Sequence, residues 1–166
     1  MNKLLFAFAC LSWGVNAVDA DDAVAYTRTA LAEYEAAAER CMNERTNNIS
    51  ITSNELRLLT QIPYSEAIIP YLEQQAFLKC VSKQKLNYTE TLILLEKLNE
   101  SVKSEEVSRF VKQQKADNFH LIELEIKLDY MKLPLDTRER LESVKALHIP
   151  FDGVKLQEMI WPTSNY

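Results

Sequence analysis

Apolar positions recur three and four residues apart along most of this chain, the spacing of one face of an α-helix. Val24, Thr27, Leu31, Tyr34, Ala38 and Cys41 trace such a face and predict a first helix from about Asp21 to Thr46. Asp21 or Asp22 caps its start and suits the macrodipole there, and its Ala-rich middle has high helix propensity. The polar run Asn43 to Ser53 ends it. Thr52 and Glu55 then stand at capping-box spacing before Leu56-Arg57-Leu58-Leu59, so a short second helix starts there.

The triplet Ile62-Pro63-Tyr64 recurs as Ile69-Pro70-Tyr71 but does not extend into a repeat; it reads as coincidence or as two helix starts, since proline suits a first helical turn. Ile69, Leu72, Ala76 and Cys80, with Phe77 beside them, form the next stripe. Asn87 to Asn99 reads as a separate helix with Leu92, Leu95 and Leu98 inward. Ser104 caps a segment read as continuous to Lys132, with Pro134 behind it. Asp136 opens a helix to about Leu147, stopped by Pro150, and Asp152 caps a last one through Ile160, stopped by Pro162.

One segment breaks the pattern. Ile122, Leu124, Ile126, Leu128 and Tyr130 alternate with Glu123, Glu125, Lys127 and Asp129, the period-two signature of a half-buried strand. The only other alternating run is the brief Ile49 to Thr52, so a strand here lacks a partner. Wound as a helix, the same residues give two opposed apolar faces: Phe119, Ile122, Ile126, Tyr130 and Leu133 on one, Leu121, Leu124, Leu128 and Met131 on the other. Leu, Glu and Lys favour the helix. A helix with two apolar faces is expected in the middle of a bundle, touching neighbours on both sides; a strand would be an exposed edge and a pairing surface.

Glycine usage changes the picture most. Of 166 residues two are glycine, Gly14 and Gly153. The body of the chain therefore has no Gly-rich phosphate cradle, no dinucleotide-binding turn and no nucleophile elbow, and no Asn-Gly or Asp-Gly hairpin turn. Residues 1–20 read as a secretory signal: Lys3, then an apolar run from Leu4 to Trp13, then small-residue cleavage sites after Ala17 or Ala20. That run is shorter than the ~20 residues a membrane span needs. A helical domain over 21–162 and a short tail over 163–166 follow. The net charge of −5, with no basic stripe, argues against a nucleic-acid partner.

Candidate chemistry is sparse. Cys41 and Cys80 are an even pair in an exported chain, which reads as a disulfide between two packed helices and not as a metal site. Asp117, His120 and Glu123 crowd one helix side, but one histidine without a second cluster reads as a solvated strip, so no metal and no cofactor is expected. His148, among apolar neighbours, reads as a partly buried, hydrogen-bonded turn residue. Asn48, Asn87 and Asn99 head glycosylation sequons, and helix capping explains their Asn and Ser/Thr equally well. Phe151, Trp161 and Tyr166 occupy a proline-bounded end and are candidates for partner binding or for a hydrophobic plug.

The expectation is a mainly α, single-domain bundle of five or six helices, stapled by Cys41–Cys80. It would be exported to a periplasm, or secreted, and would act without catalysis by binding a protein partner as an adaptor, a chaperone-like factor or an inhibitor. A carrier holding a small apolar ligand between helices is the alternative. A cell-wall polymer hydrolase is a third reading, which requires a cleft holding a buried glutamate. An enclosed cavity, a polar cleft or a contiguous apolar patch would separate the three.

Overall fold

The computed structural model describes residues 20–47, 51–62, 68–117 and 121–161. They form seven α-helices, α1 (Ala20–Asn47), α2 (Ser53–Gln61), α3 (Ile68–Val102), α4 (Glu105–Asp117), α5 (Leu121–Met131), α6 (Leu135–Glu142) and α7 (Gly153–Ile160), with a 3₁₀ turn at Lys145–His148. The all-α expectation holds among the described residues, with more helices than the five or six foreseen.

The frame is the antiparallel pair of α1 and α3. Thr27 Oγ1 lies 3.4 Å from the Thr91 carbonyl, the rings of Tyr34 and Tyr88 stack with centroids 6.0 Å apart, and Arg45 pairs with Glu73 at 2.7 Å. Partner numbers fall on α3 as they rise on α1, which fixes the direction. Cys41 and Cys80 are bonded across this seam with Cα atoms 6.2 Å apart. The foreseen α1 stripe lies on the face that packs: of its residues Thr27 and Cys41 are buried and Val24, Leu31, Tyr34 and Ala38 are partly buried, and the buried Ala30 and Ala37, which the stripe did not include, complete the seam.

α4 returns along α3, held by Tyr88 Oη donating to Gln114 at 2.6 Å and by Lys115 on Glu96 at 2.6 Å. α5 lies against the opposite end of α3, where Tyr130 stacks on Tyr71 at 4.4 Å. At that end α2, α6, the 3₁₀ turn and α7 enclose the largest apolar cluster, around Leu59, Ile69, Leu72, Leu141, Phe151 and Leu156. A second cluster, around Ala30, Tyr88, Leu92, Leu95, Val107 and Val111, fills the α1–α3–α4 end.

Several boundaries differ from the sequence reading. α3 is continuous through Asn87, so the two helices read there are one. It begins two residues before Pro70, which leaves the proline in the first turn, where its missing N–H costs nothing. Of the helix read from Ser104 to Lys132, residues 105–117 and 121–131 are helical and 118–120 lie outside the described residues, and the helix read to Leu147 stops at Glu142, with the 3₁₀ turn beyond. Ile122–Tyr130 lies within a helix, not a strand. The capping box is formed: Glu55 N–H donates to Thr52 Oγ1 at 3.2 Å and Thr52 N–H to Glu55 Oε2 at 3.0 Å. Asp152 caps α7 through Lys155 N–H at 3.1 Å.

Candidate functional site

α5 carries the feature that sets this fold apart from a closed bundle. Successive residues turn by 100° on a helix, so Ile126 and Tyr130 share one side while Leu124, Leu128 and Met131 share the opposite one. The first side packs on the large cluster. The second faces solvent, with Leu124 59 %, Leu128 51 % and Met131 55 % exposed, and Leu135 at the start of α6 is 62 % exposed. The expected neighbour on that side is missing among the described residues, which corrects the placement of this helix in the middle of the bundle. Glu125, Lys127 and Lys132 border the stripe, and Lys132 Nζ pairs with Asp129 at 2.7 Å.

Behind the stripe the packed face of α5 is polar at one point. Tyr130 Oη donates to Glu142 Oε1 at 2.7 Å. Burial first, then this carboxylate, pushes the Tyr130 phenol well above its ordinary value. Tyr71 is pushed up by burial and by Glu142. These residues, with Gln75, Lys79 and His148, line an open groove of 170 Å³ floored by Leu72, Ala76, Leu141 and Leu147. A larger open groove of 440 Å³ lies between α1 and α4, lined by Val24, Ala25, Val102, Val107 and Phe110 and crossed at its rim by Arg28 and Glu106, 3.8 Å apart.

No family model matches the chain, and no curated protein or solved structure matches it.

The foreseen site residues fall as follows. Cys41 is fully buried and Cys80 partly so, and their bond is structural in position, between α1 and α3. Phe151 is 5 % exposed and belongs to the large cluster, with Trp161 packed partly buried against it. Tyr166 lies outside the described residues, as do His120, the side chains of Asp117 and Glu123, and Asn48. His148 is exposed, which corrects its expected partial burial; its Nε2 is 2.7 Å from the Glu142 carbonyl, so that nitrogen carries the proton and donates.

Asn99 is committed to structure. Its Nδ2 donates to the Ser104 carbonyl at 3.1 Å and to Ser108 Oγ at 2.8 Å, while its Oδ1 accepts from Ser104 N–H at 2.8 Å. The side chain clips the α3–α4 turn, in which Lys103 takes a left-handed φ of 57°. Asn87, by contrast, sits inside α3, so a helix-end role does not explain its sequon.

Among the described residues the buried polar side chains are Thr27, Thr91 and Thr137, so no described carboxylate is buried. No group of three described His, Cys, Asp or Glu side chains is placed to hold a metal ion. No described helix is long and apolar enough to cross a membrane. The sequence reading named this face and expected it covered, because periodicity shows that a face is apolar and not whether anything covers it. The signal was present in the doubled face of Ile122 to Met131.

Proposed function

We propose that this protein is an exported, non-catalytic interaction module that offers the outer face of α5 to a protein partner. The observation that carries the reading is the row Leu124, Leu128 and Met131, each about half or more exposed on a helix whose other side packs through Ile126 and Tyr130. Removing such a row from water is worth roughly 25 cal/mol per Å² of apolar area. An oxidising compartment, the periplasm or the exterior, suits the Cys41–Cys80 bond. The ligand-carrier alternative would use the 440 Å³ groove between α1 and α4 or the 170 Å³ groove beside Tyr71 and Tyr130, both of which are open to solvent and not enclosed between helices. The hydrolase reading draws no support from the described carboxylates, which stand partly or fully in solvent.

A photo-crosslinking residue at position 128, installed in the producing cell, tests the proposal. A discrete adduct from position 128, with none from the exposed α1 position Glu39, is the expected result. Equal yields from both positions, or no adduct from 128, would overturn it.

A further inference from the structure

The bond between Cys41 and Cys80 joins two sulfurs in different surroundings. Cys41 is 0 % exposed and sits beside Ala37 and Val81, with Tyr34, Ala38 and Phe77 packed against that cluster. Cys80 is partly exposed. Its Sγ lies 3.9 Å from the carboxylate of Glu44, an exposed residue one turn beyond Cys41 on α1. Contact with a solvated carboxylate places that sulfur at the rim of the α1–α3 seam. We infer that Cys80 is a site of thiol exchange: an incoming thiolate attacks Cys80 Sγ and forms a mixed disulfide there, and Cys41 is the departing sulfur. The inference does not involve α5 and stands or falls apart from the reading of that helix.

The step balances with a thiol as its only co-reactant. The electron pair of the thiolate forms the new S–S bond to Cys80 Sγ. The Cys41–Cys80 bond breaks, and its electron pair leaves on Cys41 Sγ, which takes a proton from water. A second thiolate then attacks the outer sulfur of the mixed disulfide. It releases Cys80 as a thiol and carries away the oxidised reagent, so the cysteine pair has gained two electrons and two protons. Run backwards from a disulfide reagent, the same steps close the bond, with Cys80 attacking first and Cys41 resolving the adduct.

Two effects compete over which sulfur is struck. A thiolate departs more readily at a solvated position than into an apolar one, which by itself favours attack on Cys41 and departure of Cys80. The Glu44 carboxylate shrinks that preference, because it disfavours a second negative charge 3.9 Å away. What remains is about tenfold at most. Access acts in the opposite direction and is larger. The reagent needs open space at the sulfur it strikes, and at Cys41 that space is filled by the packed seam. Exchange there waits for the helix pair to open, a state of packed cores populated at about one part in a thousand or less. Attack on Cys80 therefore leads by about a hundredfold.

Treatment of the native wild-type chain with reduced glutathione, a quench with N-ethylmaleimide and peptide mass spectrometry read the outcome directly. Glutathione is expected on Cys80 and maleimide on Cys41, with this pattern at least about tenfold more abundant than the reverse. In concentrated guanidinium, where access is equal, the two patterns should agree within about threefold. Equal patterns in the native chain, a majority of glutathione on Cys41, or a native chain that forms no adduct while the unfolded chain does, would each overturn the inference. Single-cysteine variants give a second reading. Oxidised glutathione should modify Cys80 in the Cys41→Ala chain about a hundredfold faster than Cys41 in the Cys80→Ala chain. A ratio near one in variants that keep their helical circular dichroism would also overturn it, and if either variant fails to fold, the wild-type map decides alone.

Discussion

Gly153 donates its backbone N–H to Glu73 Oε1 at 3.1 Å, and the Cβ that any other residue would carry there would meet Glu73 Oε2 at 2.6 Å. The lone glycine among the described residues is therefore a point of close approach, where the first turn of α7 rests on α3. Its φ is not positive, so conformational freedom is not the reason for it. The same Glu73 oxygen accepts from Arg45 Nε at 2.7 Å, so one carboxylate joins the end of α1, the start of α3 and the start of α7. A carboxylate at a helix N-terminus also meets the positive end of the macrodipole.

Gly153→Ala is expected to destabilise the fold by about 1–3 kcal/mol, because Glu73 must leave its hydrogen-bonded position to admit the methyl group. Glu73→Ala removes both the clash and the latch. Combined in one chain, the two changes should cost measurably less than their sum in urea unfolding. Additive losses would show that the contact does not bear on stability.

Reduction of Cys41–Cys80 releases the pairing of α1 with α3 and is expected to cost about 2–5 kcal/mol. The Cys41→Ala/Cys80→Ala chain should show a similar loss, and a reductant should lower the melting temperature of the wild type and leave that of the double variant unchanged. Thermal unfolding by circular dichroism measures both.

Tyr130 supplies a pH signature. Its phenol is held neutral in the fold by burial and by Glu142, so its folded value lies above the ordinary 10.0. A raised folded value means the stabilising contribution is complete below about pH 10 and is lost as pH rises from there toward the folded value. Phenolate absorbance in an alkaline titration should show Tyr130 and Tyr71 ionising late, and Tyr130→Phe should remove one late group and flatten the alkaline loss of stability. A titration with all tyrosines ionising together near 10 would contradict the packing of this pair.

At the α3–α4 turn, Lys103 holds a φ of 57° that costs a side-chain-bearing residue about 1 kcal/mol. Lys103→Gly is expected to raise stability by about 0.5–1 kcal/mol. Asn99→Ala, which removes three hydrogen bonds to Ser104 and Ser108, is expected to lower it by about 1–3 kcal/mol. Chemical denaturation of both variants decides.

Acid should loosen the other end of the molecule. Hydrogen bonds from the backbone and side chain of Thr52, and then from Ala146 N–H at 3.3 Å, hold the Glu55 carboxyl below its ordinary 4.5. A lowered folded value means the contribution is present above about pH 4.5 and fades as pH falls toward the folded value. Glu55→Gln should lower stability at neutral pH and shrink the acid dependence between about pH 5 and pH 3.

Local rules wrote much of this protein into its sequence. The α1 stripe, the Thr52–Glu55 box, the Asp152 cap and the Cys41–Cys80 pair are each set by residues a few positions apart or by a simple parity of cysteines, and each stands where periodicity placed it. The helix at Ile122 to Tyr130 could also be favoured from propensity. Only the tertiary structure decided that α3 runs unbroken through Asn87, because burial of Tyr88 and Leu92 against α1 and α4 outweighs a polar interruption. It alone decided that Phe151 is core, since burial there depends on α7 folding back over α3. It alone left the second face of α5 uncovered. An apolar stripe declares that a helix can be buried, and whether it is depends on how many other helices the same chain brings to it.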